Sequence, residues 1–197
     1  MVVAIIIAGG VGSRMGQKIP KQFISVENKP VIAYTLEAFQ AHPQIDAIEV
    51  VCLDGWESAL RAYAKQYGID KLKWVVPGGA SGQESIRNGV FNLEGVLSSE
   101  DICMIHDGVR PMLDADVITD VLRVCEVYGN AVTSMPYNEQ IFVIDEADPT
   151  TTTRFIPRET LRRVSTPQAY RFGVLDSKYH EAFEKGIGID GSNYTNT

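Results

Sequence analysis

Between Ala8 and Phe23 the chain reads Ala8-Gly9-Gly10-Val11-Gly12-Ser13-Arg14-Met15-Gly16-Gln17-Lys18-Ile19-Pro20-Lys21-Gln22-Phe23. Glycines admit close backbone approach, so successive N–H groups can form a nest for an anion. Arg14, Lys18 and Lys21 add positive charge around it, Arg as a planar fork and Lys as a point charge. Pro20 restricts where the Lys21 ammonium can go. The combination suits a polyphosphate better than a monophosphate. Two common phosphate motifs do not fit. A Walker A loop would need Gly-Lys-Ser/Thr, but Gly16 is followed by Gln17. A dinucleotide fingerprint would need glycine where Met15 stands, and an acidic ribose partner about 20 residues on. The second strand-like run ends near Leu53, too late for that partner.

Such a loop needs a scaffold. Val2 to Ala8 is a continuous apolar run rich in β-branched residues, which suits a strand buried on both faces. Further strand-like runs are Ile48 to Leu53, Leu72 to Val76, Ile102 to Ile105 and Ala131 to Met135. Helical patterns cover Pro30 to Ala41, Glu57 to Tyr67, Gln83 to Leu97, Asp114 to Tyr128 and Phe172 to Lys185. Strands alternating with helices predict parallel strands joined by right-handed crossovers. Ligands of such open sheets bind beyond the carboxyl ends of the strands. Gly9-Gly10, Asp54-Gly55, Gly78-Gly79, His106-Asp107 and Pro136-Tyr137 occupy those places. From Gln140 the rhythm changes. Ile141 to Ile144 and Arg154 to Ile156 flank a polar stretch and read as a hairpin or arm, continued by Arg162-Arg163-Val164. A lone hairpin is marginally stable, so it should rest on the core or on another subunit.

The formal net charge of −7 argues against a nucleic-acid coat or an anionic-membrane binder, both of which need a basic face. Cys52, Cys103 and Cys125 show no metal or CxxC spacing and read as buried free thiols of a reducing compartment. The apolar N-terminus lacks a basic flank and stops at Gly9, too short to span a bilayer. These features predict a cytoplasmic protein with no membrane or nucleic-acid partner.

The string from Ala8 to Gly16, then Pro20-Lys21-Gln22-Phe23, resembles the signature of the cytidylyltransferases that act on 2-C-methyl-D-erythritol 4-phosphate and on ribitol 5-phosphate. Three later segments agree: Gly78-Gly79 followed by Ser85-Ile86-Arg87-Asn88-Gly89; His106-Asp107-Gly108-Val109-Arg110-Pro111; and Ser165-Thr166-Pro167-Gln168. The resemblance covers residues 2 to 172. It implies one three-layer α/β domain over 1–197, with a mainly parallel, Rossmann-like sheet of the nucleotidyltransferase (GT-A-like) type. A β-arm at 138–164 would project and form a homodimer. The implied reaction converts CTP and a polyol phosphate to a CDP-polyol and pyrophosphate. No general base is needed, because the nucleophile is already an anion; positioning and cations should supply most of the catalysis.

Residue by residue, the resemblance gives Arg14 and Lys21 as the catalytic cations. Ala8, Gly9, Gly10 and Gly12 would contact CTP through the backbone. Gly79 and Ser85 match the cytosine-reading positions. Asp107 matches a residue that holds Mg²⁺, or another divalent cation, and a ribose hydroxyl, and that also borders the acceptor. His106 should point the opposite way from Asp107 and be structural. Arg110, Gln140, Arg158 and Thr166 fall at acceptor-side positions, Arg158 on the arm that reaches the partner subunit. Lys18 reads equally as a further phosphate cation or a solvated surface charge, and Arg154, Arg162 and Arg163 read as solvated cations of the arm.

The chain also departs from the pattern. Gly82 stands where relatives often carry arginine, and Glu139-Gln140 where an Asp-Thr pair is usual. A C-terminal Lys-Ile-Thr-like strand has no counterpart within 1–197, so a final element is expected to be missing. These changes fall on the acceptor half. Gly108-Val109 is nearer to the ribitol branch, which favours ribitol 5-phosphate or a similar alditol phosphate, a precursor for wall or capsule polymers. The alternatives are the methylerythritol enzyme of isoprenoid synthesis and a non-catalytic CTP-binding regulator.

Overall fold

The computed structural model describes residues 1–10, 16 and 19–187. Gly12, Arg14 and Lys18, named above, lie outside the described residues, as do residues 188–197. The chain begins with β1 (Val2–Ala8), a short antiparallel pair β2 (Ser25–Val26) and β3 (Lys29–Pro30), then α1 (Val31–Ala41). Next come β4 (Ala47–Cys52), α2 (Glu57–Gln66), β5 (Leu72–Pro77), α3 (Gly82–Asn92), β6 (Ile102–Asp107) and α4 (Ala115–Tyr128). The final part holds β7 (Asn130–Pro136), β8 (Ile141–Val143), β9 (Arg154–Ile156), β10 (Arg162–Arg171) and α5 (Phe172–Glu184).

The alternation within β1 explains the layering. Ala4, Ile6 and Ala8 belong to one apolar core with residues of α1, α2 and α4, such as Leu36, Leu60 and Leu122. Val3 and Ile5 belong to a second core with Val90 of α3 and Leu175 of α5. A strand feeds two cores only when helices cover both faces of its sheet. The expected three layers are therefore present. The central sheet has the order β5-β4-β1-β6-β10-β7, with β5, β4, β1 and β6 parallel. Ala8 lies beside Cys52, and Ile7 beside Asp107. The carboxyl ends of these four strands thus share one edge, followed by Gly9, Leu53, Gly78 and Gly108. Among the described residues no helix is long and apolar enough to cross a membrane. All three cysteines are buried and free, as expected.

Three elements differ from expectation. The helix predicted to run from Gln83 to Leu97 stops at Asn92, because Gly95 takes a left-handed conformation (φ +74°) while Leu93 and Leu97 remain in the core and mimic helical periodicity. β6 continues two residues beyond Ile105, because His106 and Asp107 still pair with Ile6 and Ile7. The extended segment at 162–164 continues as β10, inserted antiparallel between β6 and β7. Pro167 and its polar neighbours hide this strand. The register shift between Val164 and Gln168 accommodates the proline, which has no N–H for the ladder.

The arm forms as expected, with Ile141, Phe142 and Val143 opposite Ile156, Phe155 and Arg154. Asp148 accepts from the Thr150 N–H and hydroxyl in the connecting turn. Phe142, Ile144 and Phe155 are each at least 60% exposed, so these side chains do not rest on the core of their own chain.

Candidate active site

The turn after β1 and the turn after β5 meet over the end of β4. Leu53 N–H donates to Ala8 O (3.2 Å), and Gly78 N–H donates to Cys52 O (2.8 Å). A Cβ at Gly9 would stand 3.0 Å from the Gly78 Cα, and one at Gly78 would stand 3.0 Å from the Gly9 Cα. Here glycine is a requirement of backbone touching backbone. Burial holds the Cys52 thiol up at about 12, so it is no nucleophile at neutral pH.

Ser85 lies in the first turn of α3 and is 4% exposed. Its hydroxyl donates to Ser81 O and accepts from the Gly79 N–H, both at 3.0 Å. Ser81 caps α3 by accepting from Glu84 N–H (3.1 Å), and the Glu84 carboxylate accepts from Ala80 N–H (2.7 Å). Gly79 and Ser85 are therefore joined directly, and the cap fixes both. The Ser-x-x-Glu spacing at 81–84 is a capping signature that could have revealed this support.

Asp107 ends β6 and accepts from Arg110 Nε at 2.6 Å. An exposed ion pair adds only ~0–1 kcal/mol of stability, so its consequence is orientation. Thr166 Oγ1 accepts from Asp107 N–H (3.3 Å), which brings the β10 motif to the same place. Arg110 N–H donates to Asp107 O, Thr35 Oγ1 donates to Gly108 O, and Gly108 N–H donates to Ile7 O. Below them His106 is fully buried, packed edge-on to Phe39, with Nε2 3.0 Å from Arg110 O. Burial lowers its pKa, so the ring is neutral and donates through Nε2. This is the structural role expected of it. Thr35 was not read from sequence; a lone threonine in a helix gives no signal.

Lys21 is exposed at the start of a short 3₁₀ turn, Lys21–Phe23, whose other two residues are buried. Phe23 stacks on Trp56 at 4.5 Å. Gln22, unassigned in the sequence reading, donates its amide to Ala8 O (2.6 Å) and Gly10 O (3.0 Å). Arg158 and Gln140 line a groove on the arm with Ile141, Phe155 and Pro157, and Arg158 pairs with Glu159 at 3.3 Å. The structure thus groups Ala8, Gly9 and Gly10 with Gly79 and Ser85, and Asp107 with Arg110 and Thr166. Gln140 and Arg158 form a third group on the arm.

Residues 2–193 match the family model described as IspD, 2-C-methyl-D-erythritol 4-phosphate cytidylyltransferase. A ribitol-5-phosphate cytidylyltransferase of Lacticaseibacillus paracasei is 52% identical over 197 residues, all of this chain and 83% of the relative. A 2-C-methyl-D-erythritol 4-phosphate cytidylyltransferase of Alkaliphilus metalliredigens is 35% identical over 192 residues, covering 96% of this chain and 77% of the relative. In fold, the chain is similar to the 4-diphosphocytidyl-2C-methyl-D-erythritol synthase of Anaerococcus prevotii, with a TM-score of 0.80 at 20% identity over 99% of this chain and 78% of that one. The chain belongs to the 2-C-methyl-D-erythritol 4-phosphate cytidylyltransferase family and is an enzyme of the nucleotidyltransferase class.

Proposed function

We propose that this protein transfers the cytidylyl group of CTP to ribitol 5-phosphate or a similar alditol phosphate in the cytoplasm. The observation that carries the choice of acceptor is the 52% identity, along the whole chain, to a relative named for ribitol 5-phosphate; three relatives named for methylerythritol phosphate stand at 34–35%. An acceptor phosphate oxygen attacks the α-phosphorus, a new P–O bond forms, and the bond to the bridging oxygen breaks to release pyrophosphate. Ala8, Gly9, Gly10 and Gly12 present backbone to the triphosphate, and Gly79 with Ser85 faces the base. Arg14 and Lys21 stabilise the charge gathered at the α-phosphorus. Arg110 and Thr166 on this subunit, and Gln140 and Arg158 from the arm, receive the acceptor.

The Asp107 carboxylate fits a divalent cation. It stands at a strand end, is 37% exposed, and pairs with Arg110 through Oδ2. Magnesium takes one or two carboxylates with phosphates and waters, so a single Asp107 suffices. The cation would neutralise phosphate charge; Asp107 itself holds and orients it, with Arg110 fixing the carboxylate.

A pyrophosphate-release assay with CTP tests the reading. Ribitol 5-phosphate should give the highest kcat/KM among ribitol 5-phosphate, methylerythritol 4-phosphate and glycerol phosphate. Faster turnover of methylerythritol 4-phosphate would transfer the assignment to that acceptor, and no turnover with any would leave a CTP-binding regulator.

The homodimer proposed for residues 138–164 is supported by Phe142, Ile144 and Phe155, apolar side chains displayed on a two-stranded ribbon that is too small to be stable alone. Phe142→Asp with Phe155→Asp should halve the mass seen by light scattering and leave the thermal midpoint of the domain within a few degrees. An unchanged mass would place the subunit contact elsewhere.

A further inference from the structure

Gln22 is 1% exposed, yet its side chain is a carboxamide. Among the described residues its buried Oε1 has no hydrogen-bond partner. A hydrocarbon of the same length would fill this space without stranding an acceptor. What a hydrocarbon cannot supply is the pair of N–H donors. Both are used, one on the carbonyl of Ala8 and one on that of Gly10, either side of Gly9. With both amide hydrogens on carbonyls, the O and N assignment of the group is fixed. Gln22 thus ties down the backbone that leads out of β1 at the residues expected to meet phosphate.

Its place in the chain makes this a link as well as a brace. Gln22 follows Lys21 within one 3₁₀ turn, closed by Phe23 N–H donating to Pro20 O at 2.9 Å. Pro20 and Phe23 are buried, so the main chain under Lys21 is held on both sides. Among the described residues, both hydrogen bonds that join this turn to the Ala8–Gly10 segment come from Gln22. The C=O and N–H of a trans peptide point in opposite directions, so holding the Ala8 carbonyl also sets the direction of the Gly9 N–H. One planar amide therefore fixes the root of the lysine relative to the glycines.

We propose that Gln22 is a positioning residue for the transfer reaction, setting the separation and orientation of Lys21 against the Gly9–Gly10 segment. The inference rests on the reading in which Lys21 acts on the transition state. A preorganised charge loses most of its effect when displaced by about an ångström, so loosening this link should act on kcat more than on CTP affinity.

The test is a double-mutant cycle with the whole chain, CTP and the best acceptor of the pyrophosphate assay. Gln22→Met keeps length and apolar volume and removes both donors. It should lower kcat by about 10- to 100-fold, raise KM for CTP by a smaller factor, and keep the cooperative melt of the parent. In the Lys21→Ala background the same change should cost less than about threefold in kcat, because the group it positions is gone. Gln22→Glu adds a second readout. Its carboxylate would face two carbonyl oxygens, and protonation restores one donor, so its kcat relative to the parent should rise as pH falls from 8 to 6. A parental kcat in Gln22→Met, or an equal factor with and without Lys21, overturns the proposal while leaving the role of Lys21 standing. A parental kcat in Lys21→Ala overturns both. If Gln22→Met does not fold, a flat pH ratio for Gln22→Glu overturns the positioning role.

Discussion

Lys21→Ala is expected to lower kcat by about 10²–10³, with a smaller change in KM for CTP. The chemistry brings a phosphate monoester against a triphosphate, so the barrier is largely the gathering of negative charge around one phosphorus. A cation fixed at that place stabilises the transition state more than the bound ground state, and its loss then appears in kcat. Lys21 suits this because its side chain is exposed while Gln22 and Phe23 beside it are buried, with Gln22 bonded to the Ala8 and Gly10 carbonyls. The exposed ammonium contributes little to folding, so the thermal midpoint should stay near that of the parent. Lys21→Arg should restore only part of the rate, because a planar fork does not place its charge where a compact ammonium does. The check is steady-state kinetics at saturating acceptor. A large rise in KM with kcat preserved would make Lys21 a ground-state contact.

The scaffold under this site is unusually readable from residue order. The apolar runs at Val2, Ile48 and Ile102 are buried on both faces and need no alternation to be seen, the run at Leu72 forms a half-buried edge strand beside them, and glycines or an acid follow where they end. Because β1, β4, β5 and β6 are parallel, those strand ends converge, and Gly9, Gly78 and Asp107 come to one edge. What stayed hidden depends on contacts that residue types and spacing do not announce. β10 carries Ser165, Thr166, Pro167 and Gln168, a polar run with a proline, and is a strand because β6 and β7 leave a place between them. Asp107 was read as a holder of a divalent cation and a ribose hydroxyl; that the turn through Gly108 also returns Arg110 to its carboxylate is visible only in the structure. Gln22 sits inside a recognised motif, and its use becomes visible only when the Ala8 and Gly10 carbonyls are seen above it.

Glu49 is the plainest conflict between pattern and structure, and it yields the second large effect. It lies in the middle of β4, fully shielded from solvent, in a run that is otherwise apolar. Asn92, at the end of α3, donates to its Oε1 at 2.7 Å, while Oε2, buried beside Gly89, has no partner among the described residues. Burial disfavours the carboxylate and pushes its pKa up to about 8 from 4.5, with the Asn92 bond opposing the rise. Between those two values the folded chain keeps a proton that the unfolded chain has released. The stabilisation from this group is therefore complete below about pH 4.5 and is lost as pH rises toward 8. At ~1.4 kcal/mol per pH unit the loss amounts to several kcal/mol. Glu49→Gln has no proton to lose and keeps an acceptor for Asn92. Its thermal midpoint should change little between pH 6 and pH 9, while that of the parent falls over the same interval, so the variant becomes the more stable protein at pH 9. Parallel curves for the two proteins would show that the Glu49 carboxyl does not titrate in this range. Because Glu49 packs beneath the helix whose first turn holds Gly79 through Ser85, the alkaline loss should loosen α3 first, seen as faster amide exchange in residues 82–92 of the parent than of Glu49→Gln at pH 9.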